Sequence, residues 1–362
     1  MTFDVKAHLK TLTESHAPSG HEGAIRDVLR DAWQTLVDEI QTDGLGSLIG
    51  IRRGTQTAEP RRRIMLAAHM DEIGLMVRHV EGAFLYVHDV GGVDNRIMPA
   101  QPVLVHGRER LPGVVAAAPP HLLTAAERGR FPGFDDLVVD VGLDAETVAR
   151  LVRPGDLITI DAPMIDLLGH KVAGKAMDDR ACIAAITVCL HELHGLQHGW
   201  DVYAAATVQE EIGLYGAATA AYQIQPDIAI ALDVTFAPQP GVDSATACEM
   251  GGGPALGIGP NFHPKLVEKI KETAKKYEFR LQDDVIPGAS GTDAWAIQVA
   301  REGVPTLLLE VPIRNMHSPV ETLDLRDVTR AGRLMARFIA DLDADFMTSI
   351  AYEMPTQPVE QQ

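Results

Sequence analysis

An α/β fold is predicted, with a mostly parallel sheet flanked by helices and a small β-barrel domain inserted into it. Three observations predict it. Outside the stretch 73–164, apolar runs of strand length alternate with segments of helical periodicity, the pattern of an open parallel sheet. Inside that stretch, short apolar runs follow one another between Gly, Pro and Asp, as in a small all-β barrel or sandwich. Several of the long apolar runs also stop at His, Asp or Glu, where sheets of this class bind their ligands. The expected division is therefore a main domain of 1–72 and 165–362 and an insert of 73–164.

Asp4 to Leu36 carries helical periodicity broken at Ala17-Pro18-Ser19-Gly20, where Ser19 or Gly20 is placed to start a second helix. A strand pair follows between Asp38 and Gly54. Ile64 to Ala68 is a buried strand that runs into His69-Met70-Asp71-Glu72. In extended backbone His69 and Asp71, two apart, project from the same side. The insert then offers strands at Leu75 to Val77, Phe84 to Val87, Pro102 to Val105, Leu137 to Val141 and Leu157 to Ile160.

Arg180 to His194 reads as a helix with Asp178 and Asp179 at its N-terminus, where free N–H groups and the dipole favour carboxylates. Asp179 is the expected cap; Asp178, one residue further out, is free to reach a metal. Val202 to Gly213 reads as a buried strand delivering Glu210 and Glu211. Neighbours on a strand point to opposite sides, so the two are expected to do different jobs. One would ligate a metal and the other would face substrate and water.

A helix near Tyr215 to Tyr222 precedes the strand Asp227 to Leu232, which ends at Asp233. Pro264 to Tyr277 is helical. The loop Pro287 to Asp293 feeds a helix Ala294 to Glu302 with Thr292 or Asp293 as its cap. Thr306 to Val311 is a strand, its following loop ends at His317-Ser318-Pro319, and the last helix runs from Leu325 to Leu342. The polar tail past Met354 is expected to be loose.

With 362 residues, 46% apolar and 23% charged, the chain has the composition of an ordinary soluble globular protein. Fifty acidic against 32 basic residues give a net charge of −18, which argues against nucleic acid and anionic membranes as partners and suits a site that collects cations. The N-terminus lacks the apolar stretch of a secretory signal, and no apolar run has the length of a membrane span. Three scattered cysteines, Cys182, Cys189 and Cys248, imply no disulfide framework. A cytoplasmic location is the expectation.

The chemistry lies in one set of residues. His69, the Glu210-Glu211 pair, Asp233 and His317 all follow apolar strand runs, and Asp178 stands at a helix start. Two imidazoles with several carboxylates match the mixed N/O ligation of Zn²⁺ or Co²⁺ rather than the all-oxygen shells of Ca²⁺ or Mg²⁺. The set holds one ligand more than a single tetrahedral zinc needs, and an aspartate can bridge two ions. Two ions about 3.5–4 Å apart would activate a water between them and polarise a carbonyl. The remaining glutamate would be the general base.

Six motifs then carry a resemblance: Ala68-His69-Met70-Asp71-Glu72-Ile73-Gly74, Lys175-Ala176-Met177-Asp178-Asp179-Arg180, Val208-Gln209-Glu210-Glu211-Ile212-Gly213, Leu232-Asp233-Val234, Gly291-Thr292-Asp293-Ala294 and Met316-His317-Ser318-Pro319-Val320-Glu321. In this order, over nearly the whole chain, they resemble the M42 family of metallo-aminopeptidases, the glutamyl aminopeptidase and TET-like enzymes with dinuclear metal centres. The resemblance implies a zinc-peptidase-like fold and two divalent metal ions per subunit, zinc or cobalt, with His69 and Asp233 on one ion, Glu211 and His317 on the other, and Asp178 as the bridge. It also implies Glu210 as catalytic base and Asp71 as the carboxylate that orients His69 and raises its basicity. The insert is implied to serve assembly or substrate access, in a homo-oligomer of dimers forming a dodecamer. Asn315 stands where relatives usually carry Tyr, and Tyr215 where a basic residue is frequent.

The expected reaction is removal of the N-terminal residue from short peptides, Glu210 deprotonating a metal-bridging water and returning the proton to the leaving amine. Two alternatives use the same residues: a deacylase or amidohydrolase acting on N-acylated amino acids, and a non-catalytic metal-binding scaffold.

Overall fold

The computed structural model describes residues 3–57 and 59–352. It bears out the predicted class: an eleven-stranded sheet flanked by helices, and a closed six-stranded barrel. The tail past Met354 lies outside the described residues.

The chain opens with α1 (Val5–Thr13), capped by the Asp4 carboxylate accepting from Ala7 N–H, and α2 (Gly23–Trp33). The second helix starts at Gly23, not at Ser19 or Gly20, because the Ser19 hydroxyl is engaged elsewhere, donating to Asp71 at 2.6 Å. Next come β1 (Glu39–Thr42), β2 (Leu48–Arg52) and β3 (Arg63–His69). The barrel consists of β4 (Gly74–Glu81), β5 (Phe84–Val90), β6 (Pro102–His106), β7 (Arg110–Ala117), β8 (Leu137–Asp140), a helix α3 (Ala145–Leu151) and β9 (Leu157–Ile160). Its strands close in the order β4-β5-β8-β7-β6-β9. Strand β7 is an addition to the five expected runs: Pro112 and Gly113 break its apolar pattern, yet it pairs with β6 and β8.

After the barrel come β10 (Ile165–Asp166), β11 (Lys171–Gly174), α4 (Met177–Leu193), β12 (Asp201–Thr207), α5 (Tyr215–Ile224) and β13 (Ile228–Phe236). The chain continues with β14 (Ala255–Ile258), α6 (Pro264–Lys276), β15 (Gln282–Val285), α7 (Asp293–Ile297), β16 (Thr306–Arg314), β17 (Glu321–Asp324), α8 (Leu325–Ala340) and α9 (Phe346–Ile350). The sheet order is β1-β2-β12-β3-β13-β16-β17-β11-β10, with β14 and β15 branching from β16. Its centre, β12-β3-β13-β16, is parallel, while β1, β2, β17, β11 and β10 join antiparallel, so the whole sheet is mixed.

Strand alternation divides the core in two. Ile64, Leu66 and Ala68 of β3 face α1, α2, α4 and α8, whereas Met65 and Ala67 face α5 and α7. Helix α4 is apolar on nearly every side and lies between the sheet and α8, so nearly all its side chains are buried. Each fully buried large aliphatic side chain in such a place contributes about 1.5–3 kcal/mol. The two helices approach so closely at Gly332 that a Cβ there would collide with the Ala185 carbonyl oxygen and the Val188 side chain. This packing holds the N-terminus of α4 against the C-terminal ends of the four parallel strands, the usual ligand position of such a sheet.

Candidate metal centre

His69 is the last residue of β3, directly beside Thr207 at the end of β12. Strand β12 stops there, so Glu210 and Glu211 lie not on a strand but in the turn that follows it, with Gln209 at φ +56°. That turn, rather than strand alternation, separates the two side chains. Asp233 lies inside β13 rather than at its end: β13 outruns β3, whose pairing stops at Ala231, and continues beside β16 alone. Asp178 is in the first turn of α4 but off the helical path. His317, at φ +59°, sits in the turn after β16.

The structure brings every one of these groups together. His69 Nε2 is 3.1 Å from Asp178 Oδ1 and 3.8 Å from Glu210 Oε2. His317 Nε2 is 3.3 Å from Asp178 Oδ2 and 3.5 Å from Glu211 Oε2. Two triads result, His69–Asp178–Asp233 and Asp178–Glu211–His317, each offering ligand atoms within 4.8 Å of one another. They share Asp178, one oxygen toward each imidazole.

The supporting contacts hold both rings in one tautomer. His69 Nδ1 donates to the Asp71 carbonyl oxygen at 3.2 Å, with Asp71 Oδ1 at 3.4 Å. His317 Nδ1 donates to the Gly92 carbonyl oxygen at 3.1 Å, a contact supplied by the loop after β5. In the neutral rings it is then Nε2 that carries the lone pair for a metal. Asp71 also accepts from the backbone N–H of Glu210 (3.1 Å) and of Glu211 (3.2 Å), so it fixes the acidic turn as well as His69.

Sequence reasoning missed three contributors. Glu321 accepts from Asp178 N–H at 3.1 Å and from His317 N–H at 2.7 Å, tying the shared aspartate to the second imidazole. Its signal was an acid just past His317-Ser318-Pro319. Buried Glu72 pairs with Lys175 (2.5 Å) and Arg180 (3.2 Å) and accepts from Ala17 N–H (2.8 Å), fastening the Asp71 turn to α4. Asp293 is buried and accepts from the Thr207 hydroxyl at 2.5 Å, a support beneath the site rather than a helix cap. The expected helix after it is also shorter, ending at Ile297 instead of Glu302. Asp179 makes no capping bond: it is fully buried with neither carboxylate oxygen partnered.

This crowding has electrostatic consequences. Burial raises Glu210, as do Asp233, Asp293 and Glu211, and with His69 opposing it stands at about 10. Burial and Asp178 raise Glu211 to about 7 and Glu321 to about 8. Burial and the charge of Asp233 also hold Asp179 well above the carboxylate range. The hydrogen bond that His317 donates to the Asp178 carboxylate raises the imidazole to about 10. Burial by itself would lower His69, but Glu210, Asp178 and Asp71 outweigh it and carry the imidazole well above its ordinary value. Groups so arranged lack positive charge, and dications reverse this pKa logic. Two nitrogens among carboxylates, in two triads with a common member, fit divalent metal binding.

The cradle opens into a cavity of about 590 Å³, walled by Glu210, Glu211, Asp233, Phe236, Ile286 and His317 among others. Among the described residues no helix is long and apolar enough to cross a membrane. The three cysteines are free and buried.

Comparison with known proteins gives the same direction. The family model described as M42 glutamyl aminopeptidase matches residues 46–334. The lysyl aminopeptidase of Pyrococcus furiosus is 39% identical over 341 residues, covering 92% of this chain and 96% of its own. An aminopeptidase of the archaeon Desulfurococcus kamchatkensis superposes with a TM-score of 0.89 at 37% identity, covering 97% of this chain and 98% of its own. The TET1 peptidase of Pyrococcus horikoshii, which can assemble into a tetrahedron or a large octahedral shell, superposes at 0.82 with 32% identity, covering 94% of this chain and 100% of its own. Likeness that runs from end to end, in sequence and in fold, and takes in the strand ends where the cradle forms, leaves one conclusion: the chain belongs to the M42 glutamyl aminopeptidase family, whose named relatives are aminopeptidases.

Proposed function

We propose that this protein removes the N-terminal residue from short peptides at a dinuclear metal centre, with His69, Asp178 and Asp233 holding one divalent ion and Asp178, Glu211 and His317 the other. The observation that carries the reading is the pair of ligand triads joined at Asp178. When bound, zinc or cobalt ions would supply Lewis acidity, an acidified water and enough positive charge to bring Glu210 down into its ionised form.

The chain's own groups do the rest. Glu210 belongs to neither triad. Its carboxylate takes the proton of the attacking water and delivers it to the nitrogen of the leaving amine. Asp71 holds the backbone of residues 210 and 211 and the ring of His69 in register. Glu321 does the same for Asp178 and His317. Near-complete burial of His69, Asp71, Asp178, Glu210 and Glu321 keeps bulk water from screening them.

The barrel would serve assembly and substrate access, and its loop contact to His317 supports a part in shaping the site. The chain would work as a homo-oligomer, dimers building a dodecamer, in the cytoplasm. The test refills metal-free protein with Zn²⁺, Co²⁺ or Mn²⁺ and compares an amino-acid amide with its N-acetylated form. Hydrolysis of the free-amine compound alone is expected. Hydrolysis confined to the acetylated one would replace the aminopeptidase by a deacylase, and full occupancy without any turnover by a binding scaffold.

A further inference from the structure

The cavity beside the cradle holds more acid than two ions can use. Six carboxylates line it, those of Asp178, Glu210, Glu211, Asp233, Asp284 and Glu310, and no Lys or Arg does. Two divalent cations carry four positive charges, matched by the four carboxylates of the proposed centre. Asp284 and Glu310 are left over. We propose that these two residues form a subsite for a cationic side chain, so that the enzyme prefers lysine or arginine at the substrate's N-terminus.

Both residues are buried, Glu310 at 3% and Asp284 at 8% exposure. Glu310 Oε2 is fully enclosed and has no hydrogen-bond partner. Asp284 accepts the Thr235 hydroxyl at 2.6 Å on one oxygen. Burying a carboxylate without a partner is costly, and proteins keep such groups where a cation or donor meets them. Asp179 and Asp293 also have unpartnered oxygens, but of these groups only Glu310 lines the cavity.

Placement fits a side-chain pocket next to the reacting bond. Glu310 lies on β16 directly across from Asp233 of β13. Asp284 lies on β15, paired through β14 to the same strand. Val234, Phe236 and Ile286 supply apolar wall on the same cavity, the surface along which the methylene stem of a lysine packs while its head reaches a charge.

The inference rests on the peptidase reading, and the experiment separates the two. Metal-loaded protein is assayed on coumarylamides of lysine, arginine, norleucine, leucine and glutamate. Norleucine shares lysine's stem and α-amine and lacks only the terminal ammonium. Lysine and arginine are expected to exceed norleucine in kcat/KM by at least about 100-fold, within the range up to about 10⁴–10⁵ that a site reaches when it would otherwise leave buried polar groups unpaired. In Glu310→Gln the lysine-to-norleucine ratio should fall at least about 10-fold, and in Asp284→Asn by less; the ratio cancels any change in metal content. Calorimetry on metal-loaded Glu210→Gln protein, where turnover does not intervene, should find L-lysine amide bound more tightly than L-norleucine amide. Norleucine, leucine or glutamate processed as well as lysine overturns the subsite and leaves the peptidase intact. Equal losses for lysine and norleucine in Glu310→Gln would assign the pair to the α-ammonium and also overturn it. No turnover of any substrate overturns the peptidase reading, and the subsite with it. Should Glu310→Gln fail to fold, the wild-type ratio and Asp284→Asn decide.

Discussion

Gly92→Ala places a single methyl group against the ring of His317. The added Cβ would lie 2.7 Å from Nδ1 and 3.0 Å from Cε1. Ordinary contact between such atoms is about 3.5 Å, so the ring must retreat by roughly 0.8 Å, taking Nδ1 away from the Gly92 carbonyl that orients it. Metal–ligand distances tolerate about 0.2 Å. The shift is several times that tolerance, and loss of an orienting partner generally weakens metal affinity by about 10–100-fold. The backbone at Gly92 is not in the left-handed region, so alanine introduces no strain of its own. Titration of metal-free protein with Co²⁺ should therefore show one tight equivalent retained, one weakened by that factor, turnover lost in proportion at limiting metal, and an unchanged melting temperature without metal. Two equivalents of undiminished affinity with wild-type turnover would refute the argument that this barrel loop sets the His317 ligand.

Three other outcomes are expected. Glu210→Gln should abolish turnover while elemental analysis finds the same metal content; an active variant would remove Glu210 from the role of base. Glu72→Gln strips the buried Lys175 and Arg180 of the only carboxylate paired with them among the described residues. It should cost about 3–5 kcal/mol in urea unfolding. Glu210, Glu211, Glu321 and His317 all bind protons more readily folded than unfolded, because their folded values of about 10, 7, 8 and 10 exceed ordinary values of 4.5 for glutamate and 6.5 for histidine. Their contribution is complete at low pH and is lost as pH rises through those folded values. The melting temperature of chelated protein should thus fall between pH 7 and 9 more steeply than that of the metal-loaded form, with protons released on metal binding.

Much of the architecture was legible because it follows from local pattern. The apolar run at Ile64 to Ala68, the helix after Asp178 and the amphipathic Leu325–Ala340 each declare themselves within a dozen residues. The ligand types were legible for the same reason, standing at the ends of such runs. What was not legible depends on contacts remote in sequence. Strand β7 is defined by its neighbours rather than by its own composition. The length of β13 past Asp233 is set by β16, not by anything in Ile228–Leu232. Glu321 reads as one more acid until it is found accepting from a backbone 143 residues away. Asp179 looks like a helix cap because its neighbour's departure from helical geometry leaves no mark in composition.

The donors are spread from residue 69 to residue 317 of a 362-residue chain. During synthesis His69 leaves the ribosome long before Asp178, and His317 follows long after both. No nascent fragment lacking the strand β16 can present both halves of the cradle. Cations would thus be taken up only after β16 has joined the sheet and carried His317 to the shared aspartate.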